Sequence, residues 1–326
     1  MCTTSPAPGP PPPFTETDRP AQIARVQQRS ILILANPISG MGRGLRIARE
    51  VAGSASAADI RAAIYTQHPS TLPPDLLASA PTVIVVGGDG TLRCVVDRLL
   101  QVIPDPQPLP HVAIIPLGTA NLMAHHLECM WGKGPIGPQV IQAILGGFHR
   151  HIDLASANGT AMLAIAGAGF DAQVVHNLAT IRRGPITHAS WLLPTLRGLF
   201  GYRFPPITVA LDGHTVLADT PAIAFVGNIP EYGAGFSVTP AARPDDRLLD
   251  VCLLPCDSWQ RVIELGILCA NQHQVTSDHA LYRRAKRVKI TSPTPVPVQI
   301  DGDEAGFTSL SIDLLPRQLT FIVPGS

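Results

Sequence analysis

One stretch limits what this chain can fold into. In Thr82-Val83-Ile84-Val85-Val86-Gly87-Gly88-Asp89-Gly90-Thr91 an apolar, β-branched run meets three glycines and an aspartate, and an amphipathic segment, residues 92–103, begins at once. An apolar run bounded by glycine reads as a strand covered on both faces, as a parallel sheet requires. In the following segment Val95, Val96, Leu99 and Leu100 fall at helical spacing. Glycines at the carboxyl end of the strand let the backbone turn sharply and approach a ligand. The unpaired amides at the head of the next helix suit a phosphate. Asp89 suits magnesium held through water, or the orientation of a hydroxyl. For any single G-G-D-G, a plain strand-to-helix turn with an aspartate cap is the structural alternative.

Two further loops repeat the arrangement. Residues 30–35 form an apolar run that ends in Asn36-Pro37-Ile38-Ser39-Gly40-Met41-Gly42-Arg43-Gly44, before a helical pattern over 45–51. Residues 111–116 run into Leu117-Gly118-Thr119-Ala120-Asn121 and a helix through 126. Between them lie a second strand, 59–66, and a short helix, 73–80. No loop ends in the Gly-Lys-Ser/Thr of a Walker A motif, and none matches G-x-G-x-x-G with an acidic residue closing the second strand. Alternating strands and helices imply a doubly wound parallel sheet with its ligand at the carboxyl ends of the strands. Three such loops converging on one edge point to a phosphate-bearing ligand.

After residue 147 the pattern changes to short strands separated by Gly and Pro turns: a hairpin over 151–166 around Asn158-Gly159, a second over 206–218 around Asp212-Gly213, and strands at 222–227, 248–254, 287–292, 296–300 and 309–315. Helical patterns follow Gly167-Ala168-Gly169-Phe170-Asp171 and cover 258–270. This half reads as an antiparallel sandwich. The expected organisation is a proline-rich tail (1–28), an α/β nucleotide-binding domain (29–150) and a β-rich substrate domain (151–315).

Composition narrows the function. Lys+Arg and Asp+Glu are both 24 and aromatic residues only 5%, so there is neither the basic footprint nor the stacking surface of a nucleic-acid binder. Six scattered cysteines lack zinc-site spacing and read as reduced thiols. No apolar run is long enough to span a bilayer, and the first residues lack the charged start and apolar core of a signal peptide. A cytoplasmic location is the expectation.

With these residues assembled, the chain resembles the diacylglycerol kinase catalytic-domain family, which includes sphingosine and ceramide kinases and the bacterial YegS-like lipid kinases. The resemblance rests on Asn36-Pro37-x-Ser39-Gly40, Gly87-Gly88-Asp89-Gly90-Thr91, Pro116-x-Gly118-Thr119-x-Asn121, Gly167-x-Gly169-Phe170-Asp171, Gly227-Asn228 with Gly233-x-Gly235, and Gln299-x-Asp301-Gly302. It implies ATP- and Mg²⁺-dependent phosphorylation of a lipid hydroxyl in a cleft between the domains. The nucleotide contacts it implies fall over 36–40 and 88–94 and at Thr66 and Thr119, with Asn36, Pro37, Ser39, Gly40, Gly87, Gly88, Asp89, Gly90, Thr91, Gly118 and Asn121 as the named binding residues. Asp301, in the turn Asp301-Gly302-Asp303, is the implied general base, with Asp89 the second catalytic carboxylate.

Asp171 and Asn228 are the implied lipid contacts, a helix N-cap being the alternative for Asp171. A structural magnesium loop falls on 243–248, with Arg243, Asp246 and Leu248 as its ligands through backbone or side chain. Residues 316–326 are expected to return to the first domain. Leu122 and Arg247 depart from the family pattern, the first where an acidic residue is often found, the second where glycine is usual. The apolar stretch 186–200, behind Arg182 and Arg183, is a candidate border of the lipid cleft and a peripheral membrane contact. The lipid's identity and the oligomeric state, a homodimer included, stay open. The rival readings are NAD kinase-like phosphorylation of a soluble substrate and a non-catalytic lipid- or nucleotide-binding regulator.

Overall fold

A computed structural model describes residues 30–37, 39–181, 202–232 and 236–325. The proline-rich tail, the stretch 186–200 with Arg182 and Arg183, and Gly233-x-Gly235 lie outside the described residues.

The first half runs β1 (Ser30–Ala35), α1 (Ser39–Gly42), α2 (Gly44–Ala57), β2 (Arg61–Tyr65), α3 (Pro74–Ala78), β3 (Thr82–Gly87), α4 (Asp89–Val102), β4 (His111–Pro116), α5 (Leu122–His126) and α6 (Ile136–Gly146). β3 is parallel to β1 on one side and β4 on the other, with Val85 opposite both Leu34 and Ile114. All six of its residues are buried. Side-chain alternation divides them between two apolar layers. Val83 and Val85 pack with Leu92, Val95, Val96 and Leu99 of α4. Ile84 and Val86 pack with Ile47, Ala48 and Val51 of α2 and Val140 and Ile141 of α6. The continuous apolar run is thus the mark of a strand with helices on both faces.

The second half continues with β5 (His149–Ala157), β6 (Thr160–Met162), β7 (Ile165–Ala168), α7 (Phe170–Ile181), β8 (Pro206–Leu211), β9 (His214–Gly227), β10 (Leu249–Pro255), α8 (Trp259–Ala270), β11 (Leu281–Ala285), β12 (Arg287–Thr291), β13 (Pro297–Ile300), β14 (Asp303–Phe307) and β15 (Leu310–Ile322). Its pairings are antiparallel: β9 joins β7, β8 and β10, and β13 joins β7 and β14. A separate core that includes Val209, Val226, Val251, Val288, Val298 and Ile312 lies between its strands. The architecture is therefore α/β with a parallel-sheet half followed by an antiparallel β-rich half.

Several elements differ in extent from the sequence pattern. The strand expected at 222–227 is the second part of the long β9, and the strand expected at 309–315 is the first part of β15. β15 pairs antiparallel with β12 and β5, and then Phe321 and Ile322 lie parallel to Val112 and Ala113 of β4. One strand is thereby shared by both halves. α2 runs beyond 51 to Ala57 through small residues that carry little apolar signal. The hairpin expected over 151–166 stops at Met162, because Leu163 and Ala164 turn their amides to Asp301 instead of to a neighbouring strand.

Candidate active site

The strands of the parallel half all end on one edge, and the loops there touch backbone to backbone. A Cβ added to Gly88 would lie 2.9 Å from the Cα of Gly118, and one added to Gly118 would lie 2.7 Å from the Cα of Gly88. A Cβ on Gly87 would lie 2.8 Å from that of Thr91. Gly87, Gly88 and Gly118 are therefore required by contact. Gly88 is the N-cap of α4, so no side chain caps the head of that helix. Asn36 follows β1 and donates from Nδ2 to Thr91 Oγ1 at 3.5 Å, joining the first loop to the second. Pro37 is exposed, and Ser39 and Gly40 begin the single turn of α1. Thr66 and Thr119 are exposed just past β2 and β4.

Asn121 has a different part. It sits in the left-handed region at φ 50°, accepts from Gly118 N at 2.8 Å and donates to Gly118 O at 2.8 Å. Its amide group shapes the Gly118 loop. Asp89, at the head of α4, accepts from Met123 N at 3.3 Å and so links α4 to α5. Burial pushes its carboxyl group above the ordinary range, with backbone amides opposing the shift.

The β-rich half brings Asp301 to the same place. Asp301 and Gly302 form the turn between β13 and β14 with φ 51° and 80°, conformations that Asp-Gly accepts readily. The Asp301 carboxylate receives the amides of Leu163 at 2.9 Å on Oδ2, and of Ala164 at 2.8 Å and Ile165 at 2.9 Å on Oδ1. Burial outweighs these bonds and lifts its pKa to about 6. A narrow crevice is lined by Asp89, Leu122, Met123, Leu163, Ala164 and Asp301, so one carboxylate from each half faces it. Beside it, Arg93 Nη2 of α4 meets Asp303 Oδ2 at 2.7 Å. Arg93 falls within the 88–94 range that the resemblance implies for nucleotide contact, four residues after Asp89 and hence on the same helix face, but its pairing with Asp303 has no signal in the sequence.

Asp171, at the start of α7, does not act as a helix cap. Its carboxylate accepts from the Tyr232 hydroxyl and from Gln299 Nε2 at 3.4 Å, and burial raises its pKa to about 6. Asn228 is fully buried, donating from Nδ2 to Asp153 O at 2.9 Å and Leu163 O at 3.0 Å. That position makes it a brace beneath the crevice, with no surface for a lipid. Tyr232, absent from the sequence motifs, is the residue that encloses Asp171.

The loop at 243–248 does not fit a magnesium ion. Arg243 is exposed and lies 4.0 Å from Asp245, Asp246 is bonded to Arg284 and to the amide of Leu248, and Arg247 faces the buried Asp153. Among the described residues no three His, Cys, Asp or Glu side chains are grouped to hold a metal. None of the described helices is long and apolar enough to cross a membrane.

Comparison with known proteins gives the family of each half. Residues 30–157 match the diacylglycerol kinase catalytic domain, and residues 164–323 match the YegS C-terminal NAD kinase beta sandwich-like domain. The two matches meet at the crevice and define a kinase built from an α/β half and a β-sandwich half. The chain is 30% identical over 256 residues to a "Probable lipid kinase YegS-like" of Pseudomonas aeruginosa, covering 76% of this chain and 78% of that one. It is 28% identical over 313 residues to a diacylglycerol kinase of Mycobacterium tuberculosis, covering 93% and 98%. A solved structure of a diacylglycerol kinase from Bacillus anthracis shares the fold, with a TM-score of 0.65 at 21% identity over 90% of this chain and 97% of that one. The chain belongs to the diacylglycerol kinase catalytic-domain family and carries the YegS-type C-terminal domain.

Proposed function

We propose that this protein is an ATP-dependent lipid kinase that transfers the γ-phosphate to a hydroxyl of a diacylglycerol-like or sphingoid lipid. The observation that carries the reading is the crevice itself, where Asp89 of the parallel half and Asp301 of the β-rich half face one space. The contact between Gly88 and Gly118 leaves backbone alone at the head of α4, which fits a nucleotide phosphate. Magnesium bound there would neutralise phosphate charge, with Asp89 and the phosphate oxygens holding it.

A lipid alcohol needs a proton acceptor to become a nucleophile. Asp301 is suited to this, since a carboxylate with a pKa near 6 is ionised at neutral pH yet more basic than an exposed one. Its Oδ2 accepts a single amide and keeps room for a proton. Asp303 is the second candidate from the same turn: its Oδ2 lies 3.5 Å from where a Cβ of Gly90 would stand, over the first turn of α4. Asp171 is enclosed by Tyr232 and Gln299, Gln299 Oε1 in turn accepts the amide of Gly302 beside Asp301, and Asp171 is the candidate contact for the lipid headgroup. A lipid acceptor also calls for peripheral contact with a membrane.

The test is incubation of the purified chain with γ-labelled ATP, Mg²⁺ and, separately, diacylglycerol, monoacylglycerol, phosphatidylglycerol, a sphingoid base and NAD. Label in an organic-phase product supports the proposal. Label only with NAD overturns it in favour of a soluble acceptor, and ATP bound but never consumed in favour of a regulator.

A further inference from the structure

Loop 243–248 is where the resemblance implies a structural magnesium, and the structure puts a side-chain cation there instead. We propose that the Arg247 guanidinium is the resident cation of this loop, so that the β-rich half needs no divalent ion at this point.

The group that demands a cation is Asp153 of β5, which has no accessible surface. A carboxylate so buried must be paired and hydrogen-bonded. Arg247 does both: its backbone N–H donates to Asp153 Oδ2 at 2.6 Å and its Nη1 to Oδ1 at 3.1 Å. Gln318 Nε2 completes the shell on Oδ1 at 2.9 Å. Arg247 Nη2 then reaches Leu315 O at 2.9 Å. One guanidinium thus gathers a carboxylate oxygen from β5 and a backbone carbonyl from β15, the oxygen types a hard cation collects. The φ of 62° at Arg247 belongs to the left-handed region and places its amide and side chain on the same acid.

The acidic side chains beside it are already paired. Pro244 O accepts the amide of Asp153 at 2.6 Å. Asp246 is taken by Arg284, whose Nε also stands 3.5 Å from Asp250. A metal would have to displace two arginines and then sit beside them. The pin also bears on the crevice, because Asn228 bonds both Asp153 O and Leu163 O, and Leu163 holds Asp301.

The test is thermal unfolding of the full chain without nucleotide, in EDTA and in millimolar MgCl₂. It is run in an Asp89→Asn background, which removes the acid proposed to face magnesium in the crevice. It therefore stands apart from the proposed lipid phosphorylation. With Arg247 present, Tm is expected to differ by less than about 1 °C between the two buffers, on the scale set by a small fraction of total stability. Arg247→Gly, free of strain at this φ, is expected to lose about 5–10 °C in EDTA and to regain much of it in MgCl₂. Magnesium stabilisation with Arg247 in place would overturn the proposal, because the loop would then hold metal as well. So would an unchanged Tm in Arg247→Gly, or a loss that magnesium does not repair.

Discussion

Arg93 Nη2 lies 2.7 Å from Asp303 Oδ2, so the second turn of α4 is bonded to the first residue of β14 across the seam between the two halves. The Arg93 side chain is 16% exposed and that of Asp303 34%, which makes the pair stronger than a surface bridge and weaker than a core one. Asp301 also lies within its electrostatic reach. Arg93→Ala is expected to lower stability by about 1–2 kcal/mol, read by urea denaturation, an amount between those two classes. Stability equal to that of the unmodified chain would mean that the seam is held by packing alone.

Removing the acceptor tests the chemistry. Asp301→Asn is expected to lower kcat by about 10²–10⁴-fold with nucleotide affinity nearly intact. If Asp303→Asn shows that loss while Asp301→Asn keeps its turnover, the second carboxylate of the turn is the acceptor and Asp301 only shapes it.

The pH profile has a definite sign. Asp301 titrates at about 6 in the folded chain, above its ordinary 3.8. Only its ionised form accepts a proton, so kcat is expected to rise with pH through about 6 and level off above it. The same shift means that the folded state binds this proton more tightly than the unfolded state does. Its contribution to stability therefore grows as pH falls from above 6 towards 4, opposite to the activity. A profile of kcat flat between pH 5 and 7, within the window set by that pKa, would rule out Asp301 as acceptor.

Gly88→Ala asks whether the glycine contact serves the ligand. Its φ of −102° is open to alanine, so the added methyl acts through its 2.9 Å approach to Gly118 and not through backbone strain. Calorimetric titration with a nucleotide is expected to show affinity reduced by about tenfold or more, in line with overpacking costs of about 1–3 kcal/mol. Undiminished affinity would place the phosphates elsewhere.

Asn228→Ala separates a brace from a substrate contact. It removes the bonds to Asp153 O and Leu163 O from a residue with no exposure. A loss of about 1–3 kcal/mol in denaturant unfolding is expected from leaving buried carbonyls unpaired. A higher KM for lipid with stability unchanged would restore Asn228 to the substrate site.

The parallel half was legible because its signals are local. An apolar run, a glycine loop and a helical period occupy adjacent residues, and β3 and α4 follow that text closely. β11 and β14 were not legible: Arg283, Arg284, Asp303 and Glu304 carry no apolar alternation, and pairing alone makes them strands, β11 against the distant β10 and β14 against β13 across the Asp301-Gly302 turn. Asp301 was found through its turn, but the three amides that hold it belong to residues more than 130 positions earlier. Arg93 meets its partner across a still longer gap, 210 positions. Arg247 was visible as a departure from a glycine pattern, yet its meaning depends on Asp153, whose burial no local rule reveals.

β15 sets a condition on how the protein is made. It delivers the fully buried Phe321 to the flank of Val112. During synthesis the earlier sheet waits with the β4 flank bare until nearly all of the later half has left the ribosome. A premature stop codon before Leu319 would release no working amino-terminal fragment. It would release a chain with an uncovered apolar β-edge, a template for self-association.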